Sequence, residues 1–454
     1  IPKRDWSSDV CSSDLGNDWL IADDNDVDGY SNPISDTLEG GAGNDTLVGY
    51  SAEWASYQDH TEAMTVNLNY AGGSAHNAGS TEVDSLYGIN HIDGTNYSDS
   101  IDASADSTHG KYMDLMHGDD TGLGGGAADY IMGEDGNDSI MGNGGDDTFY
   151  GGDNLLMMRG IDVADYSSAT SDISACLNDG LVRGDATGED HLDGVEGVIG
   201  TIYTDAFSGK DYGTGGVNYF EGLLGDDSYT GGGGYVPGDG GTWNVVSAMH
   251  LDTASSNSYV IASLVDSTTN GFDDSTGSLQ IWSAGVDGIQ HTGDDVFLNN
   301  QALTNIQEVM GSSGDDCLTG GAGRQTFAGL AGDDSIDGGN DWDDVDYAMD
   351  PNGVTVDLAA GTATDGWGDT DILSGIEEVH GSFYDDNITG DADTNYIQGL
   401  GGDDVLNGGG SEDYGGDWVS YCDDVARDPV NGYGVIVNLS SVAVTYWDAG
   451  HTEV

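Results

Sequence analysis

Basic residues are almost missing from this chain: 8 lysines and arginines face 83 aspartates and glutamates, for a formal net charge of -75. Nucleic acid and anionic membrane surfaces both need a basic footprint, so neither is a fitting partner. Proline is scarce, with 5 residues, and no apolar run approaches the ~20 residues of a membrane-spanning helix. The four cysteines, Cys11, Cys176, Cys317 and Cys422, stand far apart without a Cys-x-x-Cys. They support neither a zinc site nor a disulfide framework, and the 10 scattered histidines add no cluster for a soft metal. Catalytic signatures are lacking as well: there is no His-Glu-x-x-His, no Gly-x-Ser-x-Gly and no phosphate loop. His191 and His380 read as surface residues, and carboxylate pairs are too common for any one to stand out as acid and base. The chain reads as a non-enzyme. A hydrophobic share of 37% is thin for one deep core, and so much like charge repels itself in a compact state unless counter-ions bind.

What is abundant is glycine, 76 residues of it, and it is placed with a period. The tandem units 124–132, 133–141 and 142–150 each open on glycine, carry aspartate at position six (Asp129, Asp138, Asp147) and an apolar residue at position eight (Ile131, Ile140, Phe149). Asp120 precedes them in phase. The series Asp316, Gln325, Asp334, Asp343 keeps the same nine-residue step, as do Asp386, Asn395, Asp404, Asp413 and the shorter Asn218, Asp227. Residues 40–48 form a single copy with Asp45. The glycines of Gly122 to Ala127 belong to this series rather than to a dinucleotide fingerprint.

A longer repeat frames these runs. Gly94, Gly200, Gly311 and Gly381 each stand five residues before an aspartate, and Leu86, Leu192, Leu303 and Leu373 each stand eight residues before those glycines. Tyr57, Tyr166 and Tyr347 recur eleven residues before a leucine, a spacing read as packing rather than as a sugar platform. The implied units are 16–152, 153–240, 241–347 (diverged), 348–416 and a fifth beginning at 417–454. Residues 1–15 read as the translation of a sequencing adapter, and both natural ends are expected to lie beyond the chain.

A nine-residue hydrophobic spacing fits neither a 3.6-residue nor a heptad period. Each nonapeptide reads as a tight glycine turn followed by a strand of about three residues. Two units make one flattened coil with position eight pointing inward from alternating sides, and stacked coils form a parallel sheet on each face. The linking segments, such as 354–358 and 435–439, alternate like strands and are expected to extend the same all-β solenoid.

The tandem motif glycine-glycine-x-glycine-x-aspartate-x-apolar-x resembles the RTX, or haemolysin-type, calcium-binding repeat. That resemblance implies a parallel β-roll with Ca2+ held in the turns, in proteins exported to the extracellular space by type I secretion. The chemistry of the spacing agrees. Stacking brings Asp129 to Asp147, Asp316 to Asp334 and Asp386 to Asp404. Two carboxylates about 4 Å apart repel by roughly 4 kcal/mol at an effective dielectric of ~20. A hard divalent cation reverses that sign, and calcium accepts six to eight oxygens flexibly where magnesium demands a tight octahedron. The expected ligands are Asp45, Asp120, Asp129, Asp138, Asp147, Asp227, Asp316, Asp334, Asp343, Asp386, Asp404 and Asp413, with the turn carbonyls of Gly133, Gly142, Gly320, Gly329, Gly399 and Gly408. Asn218, Gln325 and Asn395 should fall on one edge and weaken it. Asp24-Asn25-Asp26-Val27-Asp28-Gly29 resembles the start of a calcium loop, as, more weakly, do Asp287-Gly288 and Asp294-Asp295. Two functions fit: a calcium-dependent spacer or adhesin segment with a cell-surface or matrix partner, or the non-catalytic region of a larger secreted enzyme or toxin.

Overall fold

The last three residues of each nonapeptide become a strand. In the computed structural model, which describes residues 10–12, 16–22, 35–50, 53–77, 80–152, 160–212, 216–233, 242–251, 258–266, 275–284, 290–291, 295–410, 416–420 and 436–438, every named element is a β-strand. Tyr130–Met132, Ser139–Met141 and Thr148–Tyr150 each bury only the middle residue. Side chains alternate faces along a strand, so a three-residue strand places one residue inward, and that is the apolar position eight. Tyr130–Met132 pairs in parallel with Tyr112–Asp114 and with Thr148–Tyr150, whereas Ser139–Met141 pairs with Thr121–Leu123 and Val163–Asp165. Successive strands therefore enter opposite sheets, and one coil is two nonapeptides.

The chain divides into two compact units, Ile1–Lys210 with Gly215–Phe220, and Asp211–Thr214 with Glu221–Val454. Each contains two sheets of short, mostly parallel strands. In the first unit Leu47, Ile92, Met113, Ile131, Ile140 and Phe149 are fully buried, and in the second Val309, Leu318, Phe327, Val345, Ile388 and Leu406 are. No helix among the described residues is long and apolar enough to cross a membrane.

The linking segments join the parallel ladders, but not simply as further coils. Four of them are three-stranded antiparallel meanders whose outer strands lie in the stack; of 435–439 the described strand Ile436–Asn438 pairs in parallel with Val405–Asn407. Thr355–Asp357 pairs in parallel with Asn387–Thr389, and Thr370–Ser374 with Ser335–Asp337; between them Thr362–Thr364 runs antiparallel to both. Met64–Asn67, Gly73–Asn77 and Asp84–Tyr87 repeat the arrangement in the first unit. Short turns reverse the chain, so the returning strand must be antiparallel. Residues 241–310 contain this same meander lengthened, with nine-residue strands Ser258–Asp266, Ser275–Ser283 and Val296–Thr304, between the ladder strands Trp243–Ser247 and Glu308–Met310.

Glycine does two different jobs in the turn. At position four it takes the left-handed backbone: Gly332 has φ 120°, and a Cβ there would lie 2.6 Å from the Gly314 backbone one coil earlier. Position-one glycines such as Gly142 and Gly329 do not have positive φ; a Cβ on them would collide with the carboxylates of Asp147 and Asp334. Gly332→Ala combines a disfavoured φ with overpacking, each worth about 1–3 kcal/mol. It is expected to destabilise the calcium-saturated chain by about 2–5 kcal/mol in urea unfolding. A change below about 1 kcal/mol would mean that the coil spacing is slack.

Candidate metal centre

Position six of the nonapeptide forms the two edges of the stack within each unit. Its aspartates are buried: Asp45, Asp138, Asp147, Asp316, Asp334 and Asp404 are each 1% exposed. Every one of these side chains turns toward the preceding coil. Oδ1 of Asp147 accepts the backbone N–H of Asp129 at 2.8 Å, and Asp334 and Asp404 do the same for Asp316 and Asp386 at 2.8 and 2.9 Å. In the first unit, on the edge opposite Asp147, Asp138 accepts from Asp120 at 2.9 Å, and Asp120 from Asp99 at 2.6 Å. The expected aspartate pairs thus stack, with the link running from carboxylate to backbone N–H. Carbonyls of Gly142, Gly329, Gly399 and Gly408 lie over the α-carbons of Gly124, Gly311, Gly381 and Gly390 in the coil before.

The other carboxylate oxygen distinguishes the sites. Oδ2 of Asp45, Asp120, Asp147 and Asp334 is buried and receives no hydrogen bond. Leaving a buried acceptor so costs about 1–3 kcal/mol, and more for a charged one. Burial pushes Asp120 up to about 8; the Asp99 N–H opposes this and the charges of Asp138, Asp99 and Asp119 add to it. Asp147 is likewise pushed up to about 8, by burial first and then by Asp190, Asp129 and Asp146 against the opposing Asp129 N–H. Asp334 is raised by burial and by Asp316. A hard cation would satisfy the open oxygens and remove the repulsion together. The donor set of carboxylates and turn carbonyls is all oxygen, which fits calcium.

Other position-six carboxylates are satisfied locally. Where a long unit opens, a Ser or Thr follows the leading glycine, a signal overlooked in the sequence reading. Ser312 donates its N–H to Asp316 Oδ2 at 2.6 Å and its hydroxyl to Oδ1 at 3.0 Å. Ser382 treats Asp386 in the same way, as Thr95 does Asp99 and Thr201 does Asp205. Asp129 Oδ2 accepts the Gly125 N–H at 2.6 Å. One coil before Asp129 the aspartate position is held by Lys111, which is 3% exposed. Its ammonium donates to Asp106 Oδ2 at 2.7 Å, to the His109 carbonyl at 3.0 Å and to Asn90 Oδ1 at 3.2 Å. That turn carries its own cation.

The amides do gather on one edge of the second unit. Strands Thr326–Ala328 and Tyr396–Gln398, which follow Gln325 and Asn395, share a sheet with Glu308–Met310 and Trp243–Ser247. Gln307 and Asn244 therefore extend that edge: Asn244 N–H donates to Gln307 Oε1 at 3.1 Å. Gln325 Oε1 accepts the Gly321 N–H at 3.0 Å, and Asn395 Oδ1 the Asp391 N–H at 2.8 Å. The strands following Asp316, Asp334, Asp386 and Asp404 belong to the other sheet. Asn218 is closed onto Lys210, bonding its N–H and its carbonyl at 2.8 and 3.0 Å. Asp227 accepts from the Gln301 amide at 3.0 Å, and Asp343 from the Gln325 N–H at 2.9 Å.

Three ladder carboxylates escaped the sequence reading. Asp84, Asp190 and Asp371 accept the N–H groups of Asp45, Asp147 and Asp334 across 39, 43 and 37 residues. The meander between partners hides the period, although each aspartate stands two residues before a leucine of the long repeat, as position six stands before position eight. They also account for the recurring tyrosines. Buried Tyr57 donates to Asp84 at 3.2 Å and Tyr347 to Asp371 at 3.0 Å, and Tyr166 lies beside Asp190. His380 is not a plain surface residue: it is half-buried against Asp344 and Glu378. Asp413, the loop 24–29 and residues 287, 288 and 294 lie outside the described residues; Asp295 accepts the Tyr259 hydroxyl at 2.7 Å.

No curated protein matches the chain. A family model described as the RTX calcium-binding nonapeptide repeat (4 copies) matches residues 30–52, 123–154, 308–324, 319–350 and 380–414. Those matches fall on the turns whose aspartates form the edges, in both units. The chain carries RTX calcium-binding nonapeptide repeats at several positions, and they are built as stacked parallel coils with buried aspartate edges.

Proposed function

We propose that this region is a calcium-dependent β-roll of a secreted protein, serving as a stiff extracellular spacer or adhesin segment and carrying out no catalysis of its own. The reading rests on the buried oxygens of Asp45, Asp120, Asp147 and Asp334 that no N–H or O–H reaches. Calcium would be held between coils by Asp120 with Asp138 on one edge of the first unit and Asp129 with Asp147 on its other edge, and by Asp316 with Asp334 in the second unit. Asp386 with Asp404 would form a further pair, and carbonyls of the turn glycines such as Gly142, Gly329 and Gly399 would complete the sets. The ion neutralises carboxylates that the fold has already desolvated and ties one coil to the next. Each site then adds about 2.7 kcal/mol of stability at a hundredfold excess over Kd. On the amide edge of Asn244, Gln307 and Gln325 an ion gains little, because neutral amides offer no charge to neutralise; Asn244 is bonded to Gln307, and Gln325 Oε1 accepts the Gly321 N–H.

The test is a calcium titration of the chelator-stripped chain from Gly16, followed by far-ultraviolet circular dichroism, with magnesium and sodium chloride in parallel. A cooperative gain of β signal with calcium alone is expected. Equal folding in sodium chloride would reduce the acids to a solvated surface and end the proposal.

A further inference from the structure

We propose a second metal site, for a borderline first-row divalent ion such as zinc, on the outer face of a sheet in the second unit, formed by Asp344, Glu378 and His380. These residues lie on the neighbouring strands Asp344–Asp346 and Glu378–His380, which pair in parallel with Asp344 directly opposite Glu378. Like charges set directly across a pair of strands are destabilising, and both carboxylates are nearly buried, at 3% and 8% side-chain exposure. One donor atom from each of the three residues can be chosen so that all lie within 4.8 Å of one another. His380 Nδ1 is 3.3 Å from Asp344 Oδ2, and Nε2 is 3.4 Å from Glu378 Oε1. Two ligands about 2.1 Å from a tetrahedral ion lie about 3.4 Å apart; one ion takes one ring nitrogen, so the separation of Nδ1 from Asp344 fits zinc directly, and Glu378 joins within the wider 4.8 Å grouping.

Two further observations point to a ligand rather than to crowding. Asp344 Oδ1 is buried and has no hydrogen-bond partner. Glu378 is held from behind: its Oε2 accepts from Arg324 Nη2 and Trp342 Nε1, each at 2.7 Å, which leaves Oε1 turned to His380. Outer donors that orient a coordinating carboxylate in this way are a regular feature of metal centres. The imidazole sets this site apart from the all-oxygen turns, because nitrogen favours zinc, cobalt or nickel over calcium. A protonated His380 bridging both carboxylates is the competing arrangement.

The experiment titrates zinc into the full chain in saturating calcium, beside His380→Gln and Asp344→Asn, with chelator competition as the readout. One zinc equivalent, bound at least tenfold more tightly by the parent than by either variant, is expected, with calcium stoichiometry and β signal unchanged. Equal zinc binding by parent and variants would overturn the site and leave only a diffuse acidic surface. Should a variant fail to fold, cobalt on the parent decides: paramagnetically shifted imidazole resonances support the site, and their absence overturns it.

Discussion

Stripped of metal, the chain is expected to hold its β signal near pH 4 and lose it as the pH approaches 8; saturated with calcium, it is expected to behave in the opposite sense. Asp120 and Asp147 move from 3.8 to about 8 on folding. Between those values the folded chain binds more protons than the unfolded one, so stability is full below the unfolded pKa and is lost as pH rises through the folded pKa. One unit of displacement is worth about 1.4 kcal/mol, which makes each of these two aspartates worth at most about 6 kcal/mol. Calcium binds the deprotonated carboxylate, so a calcium-loaded edge is instead released as the pH falls. Self-repulsion of the acidic surface also favours acid stabilisation, and Asp120→Asn with Asp147→Asn separates the two contributions. In chelator the double variant should show a clearly shallower loss of circular dichroism signal with pH. A double variant with the parent's slope would assign the whole effect to the surface.

Lys111→Met is expected to cost the calcium-saturated chain about 3–5 kcal/mol, the usual consequence of removing one partner from a buried ion pair. The ammonium and Asp106 are 2.7 Å apart with side-chain exposures of 0% and 5%. Burial alone would raise the Asp106 carboxyl, but Lys111, the Thr108 N–H and His109 together hold it well below the usual carboxylate range. Without the ammonium, that carboxylate remains buried with its charge uncompensated. Adding Asp106→Asn to Lys111→Met should recover much of the loss, since a neutral amide needs no counter-charge. Urea unfolding of the two variants measures both steps. A single variant within about 1 kcal/mol of the parent would show that water or calcium reaches Asp106 and that Lys111 is no substitute for an ion.

The regular part of this fold was legible because its period is local. Ile131, Ile140 and Phe149 are inward residues by the same nine-residue step that placed Asp138 and Asp147 on the edges, and Gln325 and Asn395 could be assigned to one edge by counting alternate units. Counting fails where the chain leaves the coil. Asp84, Asp190 and Asp371 complete the ladders, yet each meander inserts its own number of residues between them and their partners, so no fixed spacing reveals them. The two uses of glycine were also merged in the sequence, since a residue without a side chain reads alike whether φ or a neighbouring carboxylate demands it.

Strand phase, the coil of two nonapeptides and the chemistry of the edges can be read from local spacing, because each depends on residues a few positions apart. Packing in three dimensions selects which carboxylates are left open. Asp316 and Asp386 are satisfied by a hydroxyl in their own turn, Asp120, Asp147 and Asp334 are not, and Lys111 puts a cation where an acid was due. It also brought Asp344 to Glu378 and His380 across a sheet. Hydrogen-bond satisfaction and charge neutralisation depend on what lies within a few ångströms in space, and stacking coils makes neighbours of residues that the chain holds dozens of positions apart.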